Sequence, residues 1–200
     1  MENNMTSARK NMYRFLSSLY LLEVDEKQLK ALKQMTFPTD CGNEDLASGY
    51  QDIARYLAEK EVNPDTLDEL AVDYARLFLS AGVAQGKAAF PYESVYTSKQ
   101  HLMVQEAKST VAAIFAQKGL QPRSDAYRVP EDHLGLLLEY MSKIVEEDKS
   151  QQADFVKNHL NNWVPAFVQD VNKYATTDFY KGISKLTKGF LAMEQEYLAE

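Results

Sequence analysis

Apolar residues recur at intervals of three and four along most of the chain. Met12, Phe15, Leu16, Leu19 and Tyr20 repeat in this way, which predicts an amphipathic helix from Ser7 to Leu22. Asp25 is placed to cap a short second helix carrying Leu29, Leu32 and Met35, which the run from Phe37 to Gly42 breaks. Leu46, Tyr50, Ile53 and Leu57 define a third helix. Asn63-Pro64 starts a fourth, with Asn as cap and Pro at the first helical position, carrying Leu67, Leu70, Ala71, Tyr74, Leu77 and Phe78. The period then stops, and a long loop is expected from Ser80 to Ser98. It resumes with Val104, Ala107, Val111, Ile114 and Phe115, and Gly119 suits the residue after the helix end. A second loop, Leu120 to Val129, leads to Pro130, read as a helix start with Glu131 and Asp132 in the first turn. Leu134, Leu137, Leu138, Met141 and Val145 form the stripe of that helix, with His133 at its edge. Further helices carry Phe155, His159 and Leu160, then Phe167, Val168 and Val171. The last, capped by Thr177 or Asp178, carries Phe179, Ile183, Leu186, Phe190 and Tyr197.

No stretch alternates with period two, so the expected fold is all-α, a single domain over 1–200 of eight to ten helices. Composition agrees. Eight glycines and six prolines in 200 residues are few for an all-β protein with many turns, and half of them fall between residues 80 and 135. The net charge of -7, with Lys and Arg scattered, argues against generic nucleic-acid binding and suits a basic partner or simple solubility. Cys41 has no second cysteine to pair with, which fits a reducing compartment. The first residues lack the basic and apolar regions of a secretory signal, and no apolar run approaches a membrane span. A cytoplasmic location is therefore expected, with no membrane insertion.

Familiar catalytic patterns are absent: no phosphate-binding glycine loop, no H-E-x-x-H and no nucleophile elbow. His101, His133 and His159 lie far apart, and one cysteine does not complete a usual zinc set. No cofactor or metal is expected. Three segments stand above this background. Pro91-Tyr92-Glu93-Ser94-Val95-Tyr96 suits either rings tucked into the core or an aromatic wall for a peptide. Pro130-Glu131-Asp132-His133 suits helix capping, or an Asp-His pair that binds polar groups of a partner or a nucleotide. His159-Leu160-x-x-Trp163-x-Pro165-x-Phe167 suits a packing corner with a satisfied histidine.

In this order and spacing the segments resemble the TorD/DmsD/NarJ family of cytoplasmic chaperones for molybdenum-cofactor oxidoreductases. The likeness runs from about Asp73 to Phe167 and includes Asp73-Tyr74-Ala75-Arg76-Leu77-Phe78, similar to the family's acidic-Tyr-x-x-Leu-Phe helix. Tyr92 stands where relatives often carry Trp, and Arg128-Val129 where they often carry an acidic residue. The resemblance implies an all-helical chaperone without catalytic activity. It would bind the twin-arginine signal peptide and the catalytic subunit of a molybdoenzyme, holding back export until the cofactor is inserted. It also implies a monomer or a domain-swapped dimer, and leaves weak guanine-nucleotide binding open, although no phosphate loop supports a nucleotide timer.

By position, Tyr92, Ser94, Val95 and Tyr96 would line the peptide groove, with Asp132 and His133 in it. Glu93, Glu131 and Asp132 are the candidate carboxylates for the guanidinium forks, because carboxylates accept such forks bidentately. Two other classes are weighed against this reading. A helical adaptor for some other protein would share the composition. A metal-dependent helical phosphohydrolase would need several converging His and Asp ligands that three dispersed histidines do not offer.

Overall fold

The structure is a computed structural model that describes residues 2–38, 40–79, 81–121 and 129–199. Among them are ten α-helices: α1 Glu2–Leu21, α2 Glu26–Lys33, α3 Glu44–Glu59, α4 Pro64–Phe78, α5 Glu93–Thr97, α6 Glu106–Gln117, α7 Leu134–Ile144, α8 Lys149–His159, α9 Val164–Tyr174 and α10 Asp178–Ala199. The described residues hold no strand, only an isolated antiparallel bridge between Tyr92 and His133. The all-α expectation holds.

Local signals account for most boundaries. Asp25 and Gln28 form a reciprocal capping box at α2, and Asn63 caps α4 with Pro64 at its first turn. Gly119 takes a φ of +65° just past α6. Three expectations are corrected. The segment expected as a loop from residue 80 to 98 contains a 3-10 turn, Val83–Gln85, and the helix α5, which is too short to show a period. Val104 is not on the stripe of α6. It precedes the helix at a φ of +60° and is 57% exposed. Pro130 does not start α7: His133 is its N-cap, no acid lies in its first turn, and Glu131 and Asp132 sit before it. Most of the loop expected over Leu120 to Val129, namely residues 122–128, lies outside the described residues, as does Ser80.

The chain divides into two compact units. One comprises Met1–Leu21, Pro91–Val164 and Glu194–Glu200. In it α1 packs along α7 and buries Leu16, Leu19, Leu134, Leu137, Leu138 and Met141. The Ser17 hydroxyl donates to the Gly135 carbonyl at 2.7 Å. A Cβ at Gly135 would stand 2.5 Å from Leu21 Cγ, so the close approach needs the glycine. Phe115, Tyr140 and Phe155 pack in a row of mutually tilted rings with centroids 5.0 and 4.6 Å apart.

The other unit comprises Leu22–Phe90 and Pro165–Met193. Its core holds Ile53, Leu70, Leu77, Phe167, Phe179 and Ile183, with Tyr74, Phe78 and Tyr180 in edge contact. Asp73, fully buried, explains the acid at the head of the Asp-Tyr-x-x-Leu-Phe run. Its carboxylate accepts from the Thr176 and Thr177 amides at 3.1 and 2.8 Å and from the Thr177 hydroxyl at 2.7 Å, which fixes the turn into α10. The α3 and α10 backbones meet at Gly49 and Gly182. A Cβ on Gly49 would stand 2.6 Å from the Leu186 nitrogen and 2.8 Å from the Gly182 carbonyl. Gly49→Ala is therefore expected to destabilise by about 1–3 kcal/mol, because backbone cannot step aside as a side chain can. A thermal melt checks this, and an unchanged midpoint would refute so close an approach.

Candidate functional site

All three singled-out segments meet, and two of them are joined through the backbone. The Glu93 amide donates to the Asp132 carbonyl at 3.1 Å, and the Leu134 amide donates to the Pro91 carbonyl at 2.8 Å. This bridge ties the start of α5 to the start of α7. A five-residue helix is too short to stand alone, and the Tyr92 at its N-cap supplies no side-chain cap. Asp132 supplies it from the other segment. One carboxylate oxygen accepts the Ser94 amide at 2.9 Å and also the Ser94 hydroxyl. The Ser94 oxygen in turn accepts the Gln105 amide at 3.2 Å. The other Asp132 oxygen, Oδ1, is buried without a hydrogen-bond partner.

His133 caps α7. Its Nδ1 accepts the Gly135 amide at 3.0 Å, and its ring meets the Tyr92 ring edge-on at 5.0 Å. Complete burial disfavours the cation and pulls the imidazole down to about 3, so the ring is neutral at physiological pH and serves as an acceptor. Burial, and then the neighbouring Asp132 charge, push the Tyr92 phenol up to about 12.

Of the remaining expected residues, all but Glu131 lie around this brace. The Glu93 carboxylate, 5% exposed, faces His159 Nδ1 at 3.1 and 3.2 Å. Tyr96 stacks on Trp163 at 5.5 Å, and Trp163 Nε1 donates to the His159 carbonyl at 2.8 Å. The Val95 carbonyl takes His101 Nδ1 at 2.9 Å. Glu131 sits apart, paired with Lys108 at 3.3 Å. Thus Tyr92, Glu93, Ser94, Asp132 and His133 come together, Val95 and Tyr96 flank them, and Glu131 does not join. Asp132, His133, Tyr92 and Ser94 are buried, so they shape this region from beneath.

Beside the brace opens a cleft of about 480 Å³ lined by Glu93, Ser98, Gln105, Glu106, Thr110 and His159, among others. The sequence pattern suits His159 to a packing corner as a satisfied histidine. The histidine does have a partner, but it lies on the cleft wall. Ser98 and Gln105 carry no sequence signal of their own, because polar residues between apolar ones read as a solvated face. Among the described residues no group of three or more His, Cys, Asp or Glu is placed to hold a metal ion.

The family described as nitrate reductase delta subunit matches residues 40–169 of this chain. The chaperone protein TorD of Shewanella piezotolerans is 30% identical, over 98% of this chain and 94% of its own length. That of Shewanella pealeana is 31% identical, over 98% and 92%. In fold, the chain is similar to the crystal structure of an Archaeoglobus fulgidus protein described as a redox enzyme maturation protein. The TM-score is 0.52 at 17% identity, over 96% of this chain and 94% of the other.

Proposed function

This chain belongs to the TorD/DmsD/NarJ family of redox-enzyme maturation chaperones, and we propose that it binds a twin-arginine signal peptide and the unfinished catalytic subunit of a molybdoenzyme. In this reading it works in the cytoplasm, assists cofactor insertion and holds back export until folding is complete. Its relatives are named as chaperones, and it is a chaperone rather than an enzyme. Among the described residues no helix is long and apolar enough to cross a membrane.

One observation carries the reading beyond family membership. Two of the segments that carry the resemblance, 91–96 and 130–134, form one hydrogen-bonded unit beside an open cleft with Glu93 and Glu106 on its wall. A twin-arginine peptide offers two guanidinium forks followed by an apolar stretch, and carboxylates on the wall of an open cleft suit the forks. Asp132 and His133 act here by holding α5 and α7 in register rather than by touching the peptide.

Calorimetry with a synthetic twin-arginine signal peptide tests the proposal. Binding is expected, and it should weaken about tenfold when both arginines become lysines, because the point charge remains but the planar fork is lost. Equal affinity for the two peptides, or no binding at all, would overturn it.

A further inference from the structure

Resting on that reading, we infer that the cleft is the arginine subsite, with Glu93 as acceptor and His159 as the stand-in that the peptide displaces, and that Leu102 and Val104 form the apolar shelf for the residues following the arginine.

The first support is an under-partnered carboxylate. Glu93 is buried, and its side-chain oxygens share one polar partner among the described residues, the single Nδ1 of His159. A carboxylate offers about four acceptor positions, and one ring nitrogen between two oxygens leaves most of them unused. Burying a charge with so little compensation is costly unless a cation completes it. Glu93 lines the cleft, so a cation can reach it from there. A guanidinium brings several N–H donors in a plane, and after two have met Glu93 others remain to be satisfied. The Ser98 hydroxyl, on the same wall, is buried and lacks a hydrogen-bond partner. Glu106 lies on the wall too, its exposed carboxylate in no ion pair among the described residues, and Lys99 is the opposing charge on the lining.

The second support is backbone strain that packing does not explain. His101 and Val104 adopt φ values of +51° and +60°. For a β-branched residue such as valine this conformation is a true outlier, one that persists only where surrounding structure enforces it. Here the His101 amide bonds the Ser98 carbonyl at 3.3 Å and its ring bonds the Val95 carbonyl at 2.9 Å, anchoring the loop to α5. Yet the strain buries nothing apolar: Leu102 is 58% and Val104 57% exposed. Exposed apolar side chains held by strained backbone, in the segment joining cleft residues Gln100 and Gln105, match one kind of occupant. That occupant is an extended peptide with a guanidinium seated in the cleft and apolar side chains a few residues further on.

Calorimetry on folded variants, with the wild type as reference, separates this inference from the reading beneath it. If the wild type does not bind the twin-arginine peptide, the function proposal falls. If it does, Glu93→Gln is expected to weaken that peptide about tenfold while leaving a peptide with both arginines changed to glutamine almost unaffected. Equal loss for both peptides would mean that Glu93 only supports the fold, and would overturn the subsite. Glu106→Gln, at an exposed position that does not threaten folding, is expected to weaken binding about twofold to threefold by the same selective pattern. No selective effect in either glutamate variant would also overturn it. His159→Gln is expected to strengthen binding several-fold, and a loss as large as that of Glu93→Gln would refute the stand-in role. Leu102→Ser with Val104→Gly is expected to weaken the full peptide about tenfold but not a truncated one ending at the second arginine. Equal loss for full and truncated peptides would refute the shelf.

Discussion

Glu194→Ala is expected to lower the stability of its unit by about 3–5 kcal/mol, the largest single-residue effect predicted for this chain. Arg9 of α1 donates from Nε and Nη2 to the two Glu194 oxygens at 2.7 and 2.8 Å, a bidentate fork with both side chains at about 5% exposure or less. The same Nη2 donates to Gln152 at 2.6 Å, and the Tyr13 hydroxyl donates to Glu194 at 2.8 Å. Burial, and then the Glu194 charge, hold the Tyr13 phenol well above its ordinary value, so it remains a donor. Removing Glu194 takes from a buried guanidinium its only charged acceptor among the described residues, leaving Gln152, and takes an acceptor from the buried Tyr13 hydroxyl. The cost is the desolvation of a buried charge left uncompensated, not only the lost attraction. Arg9→Ala should cost as much, since it strands the carboxylate. Arg9→Met with Glu194→Leu should be far milder than the sum of the singles, because two apolar chains then replace two charges. Urea denaturation, with amide exchange in α1 to localise the change, measures all three. Single-variant losses below about 1 kcal/mol, the range of an exposed pair, would show that the pair is not desolvated.

Acid is expected to weaken the chain through His133. The folded ring is held at about 3 by burial, whereas an unfolded histidine titrates near 6.5. Below about pH 6.5 the unfolded chain takes up a proton that the folded chain refuses. Stability from this group is therefore full above that pH and falls by up to about 1.4 kcal/mol per pH unit towards the folded value. Protonation also abolishes the acceptor for the Gly135 amide, so the start of α7 loses its cap. His133→Asn separates titration from capping. Asparagine is a good N-cap and does not titrate, although it gives up the ring contact with Tyr92. The variant should be less stable near neutrality but lose less stability between about pH 6.5 and 5. Asp178 and Glu69, whose cationic partners lower their carboxyls against the opposing effect of burial, contribute acid sensitivity only at lower pH. If wild type and His133→Asn lose stability in parallel over that range, His133 is not the sensor.

The helices themselves were readable because period and capping are local. Asn63-Pro64, Asp25 and Gly119 each act through the backbone of their own neighbours, and the structure places all three as the sequence implies. Val104 misled because an apolar residue three positions before Ala107 and seven before Val111 fits a stripe whether or not the helix has begun. Pro130 misled because Pro followed by acids is a good helix start, yet His133 competes for the cap through Nδ1. Of the candidate site, the residue types were readable and the contacts were not. Glu93 and His159 are 66 positions apart, and Ser94 and Asp132 are 38 apart.

The sequence by itself determined an all-helical chain, where most of its helices start and stop, and which segments carry unusual chemistry. All of these follow from interactions among residues a few positions apart. Only the tertiary structure decided that one compact unit draws on three separate stretches of chain, that Asp132 caps a helix not its own, and that His133 is buried and neutral. Those depend on which distant surfaces exclude water together. Desolvation is a property of that assembled environment, so no local pattern encodes it.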